Sequence, residues 1–265
     1  MSYRALSHLG LILSSVLLAA CSASLPLHGG SPIGAAETAS LNQARTALAK
    51  ADLCCTRFSQ FDFQQSLPAE PKRFDIGPQR PVADFGGSRS WFLAFTLPAD
   101  AKVPYGIVFK STLNGRWLHH SYLFAPSVVL LDANYQPLRV KDVQLCEYMG
   151  WTRSRSGAFG HITINNANAR YLVVYSSSAQ INGSTYWEQS PTAFSANQPV
   201  QMASSGNYQI PHGPNGVLYV GRLTDHYRKA VDNAICGSPN AHAPSLISQL
   251  HNALSSHHAT SATQG

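Results

Sequence analysis

Apolar and polar positions fall into short blocks through the middle of the chain, and turn-forming residues separate the blocks. Ser90-Trp91-Phe92-Leu93-Ala94-Phe95-Thr96-Leu97 stops at Pro98-Ala99-Asp100, and Tyr105-Gly106-Ile107-Val108-Phe109-Lys110-Ser111 runs to Leu113-Asn114-Gly115. Residues 124–132 form another apolar block, closed by Asn134-Tyr135-Gln136-Pro137, and the blocks 158–164 and 170–176 surround Asn165-Asn166-Ala167-Asn168. Tyr208-Gln209-Ile210 and Val217-Leu218-Tyr219-Val220-Gly221 flank His212-Gly213-Pro214-Asn215-Gly216, a spacing that predicts a hairpin loop. β-Branched and aromatic residues favour strands, and Gly, Pro, Asn and Asp interrupt them. Strands recurring at short spacing without helices between them predict a mainly β fold, an antiparallel, jelly-roll-like β-sandwich rather than an α/β sheet.

The period changes at both ends. Ser40-Leu41-Asn42-Gln43 reads as a capping box, and Leu41, Ala44, Leu48 and Ala51 fall on one helical face, which predicts a short amphipathic helix up to Leu53. After Thr224-Asp225, residues 226–235 predict a helix closed by Cys236-Gly237. Leu246, Ile247, Leu250 and Leu254 predict a second helix over 244–256.

Residues 1–9 carry Arg4 and no acid, and 9–20 are almost wholly apolar or small. A spanning helix needs about 20 apolar residues, so this run of roughly a dozen reads as an export signal. It ends in Leu18-Ala19-Ala20-Cys21, which resembles the lipobox of bacterial lipoproteins. That resemblance implies cleavage before Cys21, lipidation of its thiol, and mooring to a membrane through acyl chains. Ser22 in place of Asp implies transfer to the inner leaflet of the outer membrane. The expected organisation is a signal peptide (1–20), a Ser/Gly/Pro-rich flexible tether (21–38), a β-sandwich domain with its N-terminal helix (39–223) and a C-terminal helical segment with a tail (224–265).

The hydrophobic content of 44% and charge of 12% are those of a globular chain. Bases are scattered, with no run longer than Arg228-Lys229, which argues against nucleic-acid binding. Beyond Cys21 the cysteines are Cys54, Cys55, Cys146 and Cys236, a disulfide count in an oxidising compartment. Adjacent cysteines rarely bond each other, so Cys54 and Cys55 are expected to take separate partners among Cys146 and Cys236. Two pairings remain open. Neither Cys-x-x-Cys nor zinc-ligand spacing is present.

The segment from Phe124 to Leu138, Phe-Ala-Pro-Ser-Val-Val-Leu-Leu-Asp-Ala-Asn-Tyr-Gln-Pro-Leu, resembles the maltose-operon periplasmic protein family, MalM, in its pattern F-A-P-x-V-x-x-L-D-x-N-x-x-P. Arg170-Tyr171-Leu172-Val173-Val174-Tyr175-Ser176-Ser177 and Leu218-Tyr219-Val220-Gly221-Arg222-Leu223 resemble later segments of that family in the right order. The Cys54-Cys55 pair after an alanine-rich helix resembles its lipoprotein branch. The likeness implies an exported protein linked to maltose or maltodextrin uptake, with no catalytic residues to carry over. Asp132-Ala133-Asn134 reads as turn chemistry, since Asp and Asn bond their own backbone.

Motifs for enzymatic chemistry are missing: there is no Gly-x-Ser-x-Gly, His-Glu-x-x-His, Walker loop or Gly-x-Gly-x-x-Gly. The 13 acids are dispersed, which argues against a glycosidase pair. His119-His120 and His257-His258 are adjacent rather than at ligand spacing, so no metal and no cofactor is expected. Sugar binding by stacking on aromatic rings fits better. Trp91, inside a strand pattern, reads as core, whereas Trp117, Trp151, Tyr186 and Trp187 read as ligand-facing, with Arg153 as polar partner. The expected function is a non-enzymatic, lipid-anchored accessory to carbohydrate handling, whose partners are a membrane and an oligosaccharide. The competing reading is a structural lipoprotein that docks onto another envelope protein without sugar.

Overall fold

The computed structural model describes residues 32–115, 120–148, 156–189, 192–195, 198–201 and 206–236. Helix α1 (Pro32–Lys50) precedes strands β1 (Leu53–Cys55), β2 (Lys72–Ile76), β3 (Val82–Asp84), β4 (Arg89–Trp91), β5 (Leu93–Thr96) and β6 (Tyr105–Thr112). Strands β7 (Leu123–Phe124), β8 (Ser127–Leu131), β9 (Pro137–Asp142), β10 (Cys146–Tyr148), β11 (Gly157–Ile164) and β12 (Tyr171–Tyr175) follow. Helix α2 (Ser178–Ile181) leads to β13 (Ser184–Gln189), β14 (Thr192–Ser195), β15 (Gln198–Gln201), β16 (Gly206–Gly213) and β17 (Gly216–Arg222), and α3 (Asp225–Asp232) comes last among the described helices.

The fold is mainly β, as the sequence pattern predicts. Five antiparallel strands form one sheet in the order β10-β11-β6-β17-β2, and four form another in the order β5-β12-β8-β9. Their apolar faces share one core. Ile107, Phe109, Leu218 and Val220 come from the first sheet, and Phe95, Val128, Leu130, Leu172 and Val174 from the second. Each such side chain contributes about 1.5–3 kcal/mol on leaving water. Strands β8 and β12 read as unbroken apolar runs rather than alternating ones because their sheet is covered on its other face too. There Phe61, Phe63 and Phe92 join Ala94, Val129, Leu131 and Val173 in a second cluster, with the Phe61 and Phe92 rings stacked at 4.2 Å.

Several local expectations are corrected. Helix α1 begins at Pro32, a residue favoured in a first helical turn, instead of at a box on Ser40. The Ser40 hydroxyl instead lies 3.5 Å from the Tyr122 hydroxyl. The buried face, Ala44 and Leu48, is the one the spacing indicates. The single strand expected over 90–97 breaks at Phe92: β4 pairs with β3, and β5 pairs with β12. The hairpin expected around 212–216 does not form. β16 pairs with β13 and β7, whereas β17 pairs with β6 and β2, so the chain changes sheets at this corner. Glycine is required at 216 because a Cβ there would lie 2.7 Å from Asn114 Nδ2 and 3.1 Å from Phe124 Cβ.

The cysteines also pair otherwise than expected, as Cys54–Cys55 and Cys146–Cys236. The physical reason lies in the sheets. Cys146 in β10 and the chain after α3 are brought side by side by a backbone bridge, in which Glu147 N donates to Ile235 O (3.1 Å) and Ile235 N to Glu147 O (2.7 Å). β1 meanwhile belongs to a separate sheet, paired with β3. Among the described cysteines, Cys54 and Cys55 therefore have each other as partners. No helix among the described residues is long and apolar enough to cross a membrane. The proposed lipidation residue Cys21 and the helix expected over 244–256 lie outside the described residues.

The turn after β8 is built as the sequence suggests. Asp132 Oδ1 accepts from Asn134 N and from Gln136 N, both at 2.8 Å, and the turn carries Tyr135 at φ 61°, the left-handed region that a bulky residue seldom occupies. Asp132→Ala removes both bonds and is expected to cost about 1–2 kcal/mol in urea unfolding, with Asp132→Asn, which keeps an acceptor, losing less.

Candidate functional site

The outer face of the five-stranded sheet presents a row that crosses Cys146 of β10, Phe159 of β11, Lys110 of β6 and Tyr219 of β17. Period-two alternation turns these side chains away from the core, and α3 lies over part of them. Ala230 of α3, Val108 and Phe159 form a small apolar cluster, with Tyr148, Leu223, Tyr227 and Val231 packed against it. Thr224 precedes the helix in extended conformation, and Asp225 in its first turn suits the positive end of the helix dipole.

Between α3 and the sheet opens a cleft of about 340 Å³, lined by Tyr148, Phe159, Asp225, His226, Tyr227, Lys229 and Ala230. This size is at the lower end of small-molecule sites. Its walls are aromatic: Tyr148 and Phe159 meet edge to face at 5.8 Å, Phe159 and Tyr227 lie 6.2 Å apart, and His226 stands against Tyr227 at 5.4 Å. Asp225, His226 and Lys229, all exposed, supply polar groups at the rim.

Beneath the cleft, Lys110 is 2% exposed, with Nζ 5.6 Å from the Phe159 ring centre and 5.1 Å from that of Tyr219. Both rings turn negative faces towards the ammonium, which offsets part of its desolvation. Burial lowers the Lys110 pKa. The Tyr227 phenol is pushed up, mainly by burial and then by Tyr219 and Glu70, so it remains a neutral hydrogen-bond donor at neutral pH. Phe159, 2% exposed, forms the floor, and the half-buried Tyr148 and Tyr227 rings beside a polar rim can hold the apolar C–H face of a sugar ring while the rim bonds its hydroxyls.

Residues 87–221, half of the chain, match the family described as "Maltose operon periplasmic protein precursor (MalM)". The chain belongs to the MalM family. The family is periplasmic and tied to the maltose operon, in agreement with the resemblance read from Phe124 to Leu138. No curated protein and no solved structure matches the chain. The MalM match runs from before β4 through most of β17, so it includes Tyr148 and Phe159 but stops short of α3.

The ligand-facing residues expected from sequence are placed unevenly. Trp117, Trp151 and Arg153 lie outside the described residues. Tyr186 is half-buried on β13 and does not line the cleft. Trp187 is corrected: it is 5% exposed and part of the main core. It faces inward with Thr185 because 184–188 alternate as a strand, a period that the polar composition of the stretch conceals. Tyr148, Phe159, His226 and Tyr227 were not singled out by sequence. The alternation of Phe159 against Ala158 was the available sign, but only the long-range packing of α3 makes a cleft of it. Among the described residues no cluster of three metal-binding side chains occurs.

Besides Lys110, Glu147 on β10 of the five-stranded sheet and His212 on β16, which pairs with β13 and β7, are buried titratable groups. Glu147, 2% exposed, faces the core side of β10, where Oε2 accepts from the Glu188 backbone N–H. Burial pushes its carboxyl up to about 8, the Glu188 N–H opposing and the Glu188 charge adding to the rise. His212 Nδ1 lies 2.6 Å from Gln180 O and Nε2 lies 2.8 Å from Thr185 Oγ1. The carbonyl can only accept, so Nδ1 carries the proton and Nε2 accepts from Thr185. Burial lowers the His212 pKa, with the Gln180 carbonyl opposing.

Proposed function

We propose that this MalM-family chain is a non-enzymatic envelope protein, lipidated at Cys21, that binds α-1,4-glucans in the cleft beneath α3 as an accessory to maltodextrin uptake. The observation that carries the reading is the cleft itself, where Tyr148 and Tyr227 form aromatic walls over the Phe159 floor, beside Asp225, His226 and Lys229. Sugar faces stack on such walls, and the rim supplies donors and acceptors for hydroxyls. The maltose-operon association of the family supports the choice of glucan. Lipidation at Cys21 and delivery to the inner leaflet of the outer membrane rest on the lipobox-like Leu18-Ala19-Ala20-Cys21 and on Ser22.

Isothermal titration of the mature chain with maltoheptaose, and with cellohexaose as control, tests the reading. Binding of maltoheptaose in the micromolar to millimolar range is expected, weakened roughly five- to thirtyfold by Tyr227→Ala, since a stacked ring is worth about 1–2 kcal/mol. No heat with any α-1,4-glucan would refute it. Labelling with a radioactive fatty acid checks the anchor: incorporation is expected in the wild type and none in Cys21→Ser.

A second reading, docking onto another envelope protein without sugar, is favoured by one feature. Edge strand β9 is exposed along its whole length, with Leu138 36% and Val140 61% exposed. Cross-linking in cells grown without maltodextrin separates the two readings.

A further inference from the structure

The two disulfides do different physical work. Cys146–Cys236 joins residues 90 positions apart and pins the chain after α3 to β10. Cys54–Cys55 joins neighbours whose Cα atoms are 3.7 Å apart, so it closes no loop and ties no distant segments together. Stabilisation by a disulfide grows with the length of chain it closes, and here that length is nil. Cys54–Cys55 therefore cannot serve the fold as a staple.

Its position is also unlike that of a staple. Cys54 is exposed and Cys55 half-buried, next to Leu53 at 43% exposure, whereas Cys146 is 6% exposed. The register between β1 and β3 shifts between Leu53, opposite Val82, and Cys55, opposite Ala83, so Cys54 is the residue left over at the irregularity. A bulged residue is unpaired in the ladder and its side chain is free to be approached. Cys55 packs against the aromatic layer, and its Sγ lies 3.8 Å from Gln60 O. Strand β1 contributes no residue to the buried core apart from this contact, so the bond can open without exposing that core.

We propose that Cys54 and Cys55 are a reversible dithiol–disulfide couple that exchanges with an external dithiol. A thiolate of that dithiol attacks the accessible Sγ of Cys54. The Cys54–Cys55 bond breaks, Cys55 leaves as a thiolate and takes a proton, and a mixed disulfide joins Cys54 to the reductant. The second thiolate of the reductant then attacks its own sulfur in that mixed disulfide and releases Cys54, which is protonated in turn. Two electrons and two protons pass to the protein, and the external dithiol becomes a disulfide.

The test is graded dithiothreitol on the mature, folded chain without denaturant, followed by alkylation with a mass-tagged maleimide, peptide mapping and circular dichroism. The expected result is tags at both 54 and 55, mapped apart from any tag at Cys21, at reductant levels that leave Cys146–Cys236 closed and the spectrum unchanged. Removing the reductant and adding oxidised glutathione is expected to abolish the tags at 54 and 55, and the double variant C54S/C55S is expected to take none on that strand. Release of Cys54 and Cys55 only together with Cys146 and Cys236 as the chain unfolds, or failure to reclose, would overturn the proposal.

Discussion

Glu147→Gln is expected to make the protein more stable at pH 7, by on the order of 3 kcal/mol, and to flatten the alkaline side of its stability profile. The folded state holds the carboxyl at about 8, against 4.5 when free, so folding takes up a proton between those two values. The folded form is thus favoured fully below the lower value, loses about 1.4 kcal/mol per pH unit through the window, and levels off above the upper one. Glutamine keeps an acceptor for the Glu188 N–H but carries no charge to desolvate. The Oε1 position is buried with no hydrogen-bond partner among the described residues, so the glutamine amide there meets the same surroundings as the neutral carboxyl does. Below about pH 4.5 the two proteins are expected to converge. The acid limb survives in the variant, because His212 is held neutral: its lowered pKa means that stability falls as pH drops below the free value of 6.5. Urea unfolding of both proteins from pH 4 to 9 checks this. Equal profiles above pH 5 would show that Glu147 is ionised in the folded state.

The double variant C146S/C236S is expected to lose about 4–5 kcal/mol in urea unfolding. The bond closes a stretch with a sequence separation of 90, which places it near the large end of the chain-entropy scale. Against a typical domain stability of about 5–15 kcal/mol this is a large share. Glucan binding is expected to fall with it, because α3 would then be held by Ala230 with its apolar neighbours and by the two Glu147–Ile235 backbone bonds, without a covalent tie. Loss of stability with unchanged affinity would show that α3 keeps its place without the bond.

What the sequence disclosed follows from the range of the interactions involved. The strands 105–112 and 171–175 and the Asp132 turn are local matters of periodicity and side chain to backbone bonding, and they are where the pattern places them. The choice between sheets is not local. Nothing within 208–221 says that β16 and β17 part company, since that depends on β13, β7, β6 and β2 arriving from elsewhere in the chain. The disulfides illustrate the same limit. Reluctance of adjacent cysteines to bond is a local rule, and it yields when the sheets give Cys146 to Cys236 and leave Cys54 and Cys55 on another strand. Trp187 is core although its neighbours are polar, because the strand's alternation, and not the composition of the stretch, sets which way it faces. The cleft was invisible for a further reason: Tyr148 and Phe159 from paired strands meet Tyr227 only after α3 folds back over the sheet.

Amide hydrogen exchange on the mature chain, with and without saturating maltoheptaose, tests the glucan site most directly. Slower exchange confined to residues 146–148, 157–160 and 225–232 is the expected result. No change there, or protection at a different face such as β9, would contradict a glucan site beneath α3.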